Sequence, residues 1–243
     1  MNGSTREALP GWIALLLVAA LAWQWTLTDA AAMGNAPGTM GMPFGPFLAM
    51  WLPMMTAMML PAIAPVATVW VRCVARQAGA LHRMSRLALF GLGYLVVWTS
   101  AGVAAFALMR PVEIGIDRGL YSAQSASAAV FALAGLYQLS ALREACLSKC
   151  RSPATVLGLA TAGPAPLRDL RAGALHGAWC LACCWSLMAV LALVGLMNVA
   201  AMAILAAFIF AEKTTRFGVP AGRLAGLVML AAAAVSLAGV PIH

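Results

Sequence analysis

The 243-residue chain predicts an all-α fold: a polytopic transmembrane helix bundle of about seven spans, forming a single integral membrane domain over residues 1–243. Three observations predict it. Hydrophobic residues make up 63% of the chain against 9% charged, which excludes an ordinary soluble domain. Apolar runs recur at about the 20 residues that a bilayer-crossing helix needs. The cationic residues then fall in alternate connections between those runs. Arg6 precedes the first; Arg72, Arg76, Arg83 and Arg86 share one connection; Arg143, Lys149, Arg151, Arg168 and Arg171 share another; Lys213, Arg216 and Arg223 share a third. Arg110 and Arg118 fall elsewhere, matched by Glu113 and Asp117. This is the positive-inside asymmetry, so the net charge of +8 reports topology and not a nucleic-acid partner. It sets the amino terminus in the cytoplasm and the carboxyl terminus outside, as in a multi-pass protein of the bacterial inner membrane.

Each run has its own signature. Residues 11–28 carry Trp12, Trp23 and Trp25, which suit a helix anchored at the membrane interface. A cleavable signal peptide is the rival reading, with Ala30, Ala31 and Ala32 as its cleavage site, but the run is long for one. Residues 47–73, 87–109 and 122–142 form the next three spans. Residues 172–211 carry no formal charge and are too long for one helix; Gly195 to Asn198 supply a turn, giving a fifth span at 173–196 and a short sixth at 198–211. Asn198 reads first as a turn or cap residue, and residues 221–240 complete the set. Asp29 and Glu212 read as interfacial. No internal repeat or appended soluble domain is apparent, since the longest connection is residues 146–172.

The sulfur residues carry the chemistry. His176, Cys180, Cys183 and Cys184 follow one another at helical spacing, so they share a face that can point into the bundle. In the second span Met50, Met54 and Met58 repeat every four residues, with Met55 and Met59 on the adjoining stripe. Methionine is also flexible packing material. Pro61 and Pro65 accompany this group, and each removes a backbone hydrogen bond and favours a kink, a common way of building a site at membrane depth. At ~1.5 Å per residue, Met58 and Met59 lie about 17 Å from the outer start of their span, and Cys183 and Cys184 about 16 Å from the inner start of theirs. Both sets therefore fall near the midplane of a ~30 Å hydrocarbon core.

Thiolates with thioethers select Cu(I), whereas zinc prefers thiolate with imidazole and hard ions prefer carboxylate, which both spans lack. Charge agrees, since Cu(I) on one thiolate and neutral ligands is a neutral unit in a medium that penalises net charge. Cys146 and Cys150 lie one turn apart after the fourth span and suit a cytoplasmic Cu(I) exchange site. Met33, Met40 and Met42 occupy a Gly- and Pro-rich outer loop, where thioethers survive oxidising conditions better than thiols. His243 is a further possible ligand, and Cys73 alone reads as structural. With no cysteine in an outer loop, a disulfide framework is not indicated.

These motifs also carry a family resemblance over about residues 47–218. Trp51 to Pro61 with its Ala57-Met58-Met59-x-Pro61 core, Ala134 to Leu139 through Cys146-x3-Cys150-Arg151-Ser152-Pro153, and Cys180-x2-Cys183-Cys184-Trp185 followed by Met197-Asn198 and Glu212-Lys213 resemble the bacterial predicted metal-binding integral membrane proteins. That family includes a copper chaperone associated with tyrosinase-type polyphenol oxidase. Ala182 and Pro53 depart from its pattern. The resemblance implies a copper-handling role for Met55, Met58, Met59, Cys146, Cys150, Cys180, Cys183 and Cys184.

The expected protein is a Cu(I)-binding membrane metallochaperone or carrier, not an enzyme. Its expected partners are the copper ion, a metal-donor protein, an exported cuproenzyme client and the lipid bilayer. No GxxxxGK[ST] phosphate loop is present to power pumping. The competing readings are a thiol/disulfide oxidoreductase using Cys180-x2-Cys183 and a structural subunit of a membrane complex.

Overall fold

The computed structural model describes residues 3–34, 36–74, 79–159 and 164–238, with side chains from Leu9 onward. Arg76, His243 and the side chain of Arg6 lie outside this set. Among the described residues the fold is all helical: α1 (Gly3–Met33), α2 (Phe44–Val74), α3 (Ala80–Asp117), α4 (Ala123–Gln138), α5 (Ala141–Arg151), α6 (Ala154–Leu157), α7 (Ala165–Val194), α8 (Val199–Thr214) and α9 (Gly218–Leu237).

Among the described residues five helices, or six with one bent pair, are long and apolar enough to cross a membrane, against the seven spans expected. α1, α2, α3, α7 and α9 are long and apolar enough to cross a membrane, and α4 with α5 makes a sixth only if a pair bent by 64° counts as one span. The bend lies where Ser140 opens a new helix, its side chain accepting from the Arg143 backbone N–H at 3.2 Å. The expected sixth span is α8, whose 16 residues rise only ~24 Å, short of a ~30 Å core. Its beginning is sharp because Gly195 turns the chain at φ 111° and the Asn198 side chain accepts from Ala201 N–H at 3.1 Å. The turn expected at Gly195 to Asn198 is therefore present, with Asn198 as the cap.

Pro53, Pro61 and Pro65 all lie inside α2, which continues through them from Phe44 to Val74. The helix is central: 67% of its most apolar window is buried, against 22–44% in the other four apolar helices. The outer surface is apolar as well, with Leu17, Leu21, Leu108, Leu133, Ile204 and Leu227 all exposed.

α1, α3, α7 and α9 run one way and α2, α4 and α8 the other, which defines two ends of the bundle. At the basic end, where α7 and α9 begin, Asp169 accepts from the Arg86 guanidinium, with one contact at 2.7 Å, and from the Trp70 indole at 2.8 Å. This buried pair joins α2, α3 and α7. A second buried pair, Arg143 with Glu212, joins α5 to α8. Glu212 is thus a core residue and not the interfacial one its position suggested. Losing one partner of such a pair costs about 3–5 kcal/mol, because the other charge is stranded. Asp29, by contrast, is half-buried and accepts from Trp25 Nε1 at 2.9 Å. At the opposite end the loop after α1 is tied down. Glu113 accepts from the Thr39 backbone N–H and from its hydroxyl at 2.5 Å, and Gly38 N–H donates to the Ala192 carbonyl at 2.9 Å.

Close approach of α3 to α7 sets the position of the site. A Cβ on Gly173 would stand 1.9 Å from the Phe90 carbonyl oxygen, and one on Gly93 2.1 Å from that of Leu170. Only glycine permits this contact, which brings Tyr94 over the middle of α7.

Candidate metal centre

Cys180 lies midway along α7 and is fully buried. Two groups from other helices meet its sulfur: the Tyr94 hydroxyl of α3 at 2.9 Å and the Lys213 ammonium of α8 at 2.7 Å. The turn at Gly195 explains the second. From Cys180 up to Val194 and from Val199 down to Lys213 are equal lengths of helix, each ~21 Å at ~1.5 Å per residue, so the antiparallel return delivers Lys213 to the level of Cys180. A lysine so far inside an apolar bundle needs a partner, and the Cys180 sulfur supplies it.

The neighbouring thiols turn back on their own helix. Cys183 and Cys184 both donate to the Cys180 carbonyl, at 3.1 and 2.9 Å. Cys150 of α5 lies beside Cys180 and Cys183, and Cys146 lies beside Tyr137, whose hydroxyl donates to the Ala182 carbonyl at 2.5 Å. The break before α5 therefore changes the expected geometry. Cys146 and Cys150 remain one turn apart and buried, but Cys150 joins the α7 thiols instead of forming a separate site.

His176 is buried one turn before Cys180, its ring 6.0 Å from those of Phe90 and Tyr94. Neither ring nitrogen has a hydrogen-bond partner, and Ser186 Oγ on the same helix has none. Buried polar atoms are rarely left so, and an imidazole facing thiols is a fitting ligand for a soft metal. Among the described residues no group of three or more His, Cys, Asp or Glu side chains is arranged to hold a metal ion. The geometry gives the reason: the Cys183 and Cys184 thiols are engaged by a carbonyl, and the Cys180 sulfur faces Tyr94 and Lys213. Both thiols need only a side-chain rotation to leave that carbonyl.

The α2 methionines all face inward. Met50, Met54, Met55, Met58 and Met59 are buried, and they share one hydrophobic core with the cysteines. The Trp51 indole donates to the Trp98 carbonyl at 2.8 Å, which fixes the register of α2 on α3. From Trp51, one to two turns beyond Tyr94, α2 descends so that Met54, Met55 and Met58 come to about the level of Tyr94 and Cys180, within ~5 Å by helix rise. Level is therefore shared, although α2 and α7 are not a close-packed pair: α3 and α8 lie against both.

Residues 48–236 match the profile of the copper chaperone family PpoB2. The chain belongs to this family. No curated protein matches it. No solved structure matches it. The match spans all the helices that build the site, from α2 to α9, and leaves α1 outside. The family's function is copper handling, which supports the reading of the sulfur residues over a nucleic-acid or hard-cation role.

Sequence reasoning missed Tyr94 and Lys213 as site residues, and Arg143 with Glu212 as a buried pair. Lys213 reads as one more positive-inside residue, and its signals were its place beside Glu212 at the end of an uncharged stretch and the Glu212-Lys213 pair within the family resemblance, which assigned it no role. Tyr94 gave no signal, because its approach depends on the Gly93 and Gly173 packing of α3 on α7.

Proposed function

We propose that this PpoB2-family chain is an integral protein of the bacterial inner membrane that binds Cu(I) and passes it toward an exported cuproenzyme. Cys180 with Cys150 and Cys183 forms the principal binding site; Cys184 and His176 flank it on α7, Met54, Met55, Met58 and Met59 supply thioethers at its level, and Cys146 stands on the intake side. The observation that carries this reading is the convergence of α3, α5, α7 and α8 on one buried sulfur, Cys180.

The chemistry follows from the groups present. Cu(I) accepts two or three soft ligands, and thiols freed from the Cys180 carbonyl can take it up by exchange with a donor's thiolates, never releasing a free ion. Lys213 carries the charge that makes two thiolates on Cu(I) a neutral ensemble, which matters where net charge is expensive. The exposed Leu, Ile and Val of the outer surface exceed what a soluble monomer leaves uncovered, which supports lipid as their solvent. In that orientation the basic end faces the cytoplasm and the pinned loop faces outward. The copper chaperone family match favours copper handling over the thiol oxidoreductase reading.

The test is an anaerobic Cu(I) titration of the purified, reduced chain against a competing chelator. Tight binding that Cys180→Ser abolishes supports the proposal, and equal binding in both proteins contradicts it. A thiol placed at the exposed Ala36 tests orientation, since it must label from outside the cell.

A further inference from the structure

The methionines are distributed in a way that packing alone does not require. Among the described residues, exposed large apolar side chains are overwhelmingly Leu, Val, Ile and aromatic, with Met33 the one methionine, while Met50, Met188, Met197 and Met202 are each at most 6% exposed. Leucine covers the outside and thioethers sit inside.

Their levels form a series. Measured along the helices from Cys180 and Lys213 toward the opposite end, Met188 lies ~12 Å up α7 and Met202 ~16 Å up α8, while Met50 sits beside the Trp51 that binds Trp98. Met197, 1% exposed, sits in the turn between α7 and α8. Beyond it lies the loop tied to the carboxyl end of α7 by Gly38 to Ala192, and to α3 by Thr39 to Glu113. That loop carries Met40 and Met42, both partly buried against the core, and Met40 is the one non-glycine residue with a positive φ, 54°, among those described. A bulky residue held there is unusual and is maintained by its surroundings. Buried thioethers therefore recur at rising levels between the cysteines and the opposite end, where the Glu113 carboxylate holds the loop at Thr39.

We propose that the opposite end of the bundle holds a second soft-cation site, built from the thioethers of Met40, Met42, Met197 and Met202, and reached from the cysteines past Met50 and Met188. Its ligand class is a monovalent soft ion, Cu(I) or its redox-inert analogue Ag(I), because neutral thioethers leave a single positive charge to be accommodated and do not compete for divalent hard ions. This rests on the reading of the cysteine cluster as the principal site, and it gives that site an outlet where copper is held weakly enough to leave.

The experiment uses the full chain carrying methyl-13C methionine, titrated anaerobically with Ag(I) in the wild type, in Cys180→Ser, and in Met197→Leu/Met202→Leu. Leucine conserves volume and apolarity, so the double variant is expected to fold. Expected are Ag(I)-dependent shifts of the Met40, Met42, Met197 and Met202 methyl signals after the first equivalent in the wild type, persisting in Cys180→Ser, with the second equivalent lost in the double variant. Unshifted signals at all four methyls while the cysteines fill would overturn the proposal. Unshifted signals together with unfilled cysteines would overturn both readings, and shifts without cysteine loading would leave this site standing and remove the principal one.

Discussion

α7 and α2 carry the same element in different settings. In α7 the sulfur of Cys180 is surrounded by polar groups, a phenol at 2.9 Å and an ammonium at 2.7 Å, with two further thiols hydrogen-bonded to its own carbonyl. In α2 five thioethers are buried within the hydrophobic core. On the proposed reading the difference separates two tasks: a polar, charge-compensated sulfur anchors a cation, whereas neutral thioethers guide one without holding it.

The comparison can be broken at either helix. Cys180→Ser should have the largest effect, weakening Cu(I) binding beyond the ~100-fold that marks the upper limit for groups that only orient a ligand; chelator competition measures it. Lys213→Met should come next. It removes the charged donor while keeping an apolar stem, and binding should fall about 10- to 100-fold, with the loss partly restored by Lys213→Arg. Gly173→Ala acts through geometry. Its methyl must push Phe90 and Tyr94 away from α7, costing about 1–3 kcal/mol in thermal unfolding and weakening Cu(I) binding less than Lys213→Met does. The smallest effect belongs to α2. Met54→Leu with Met58→Leu should change affinity only a few-fold and leave stability within about 1.5 kcal/mol, since volume and burial are conserved. A larger loss in α2 than at Lys213 would reverse the assignment of anchor and guide.

Much of this was legible in sequence. The Cys180-x2-Cys183-Cys184 spacing, the Met50/54/58 stripe and the Gly195 to Asn198 turn are local patterns, and helix periodicity alone turns them into faces and ends. The convergence on Cys180 was not legible, because it depends on contacts distant in sequence. Tyr94 arrives only through glycine-mediated packing, and Lys213 only through equal helix lengths on either side of a turn. The expected span count exceeds the five or six candidate spans for a related reason. Hydropathy does not register that α8 ends at a buried Glu212 and Lys213, or that Ser140 caps a new helix after α4.

The most direct test of the central claim is X-ray absorption at the copper K-edge on the Cu(I)-loaded chain and its Cys180→Ser variant. The account predicts a Cu(I) edge with a shell dominated by sulfur in the wild type, and loss of that sulfur shell in the variant. A shell of nitrogen and oxygen, or an unchanged sulfur shell after Cys180 is replaced, would contradict it.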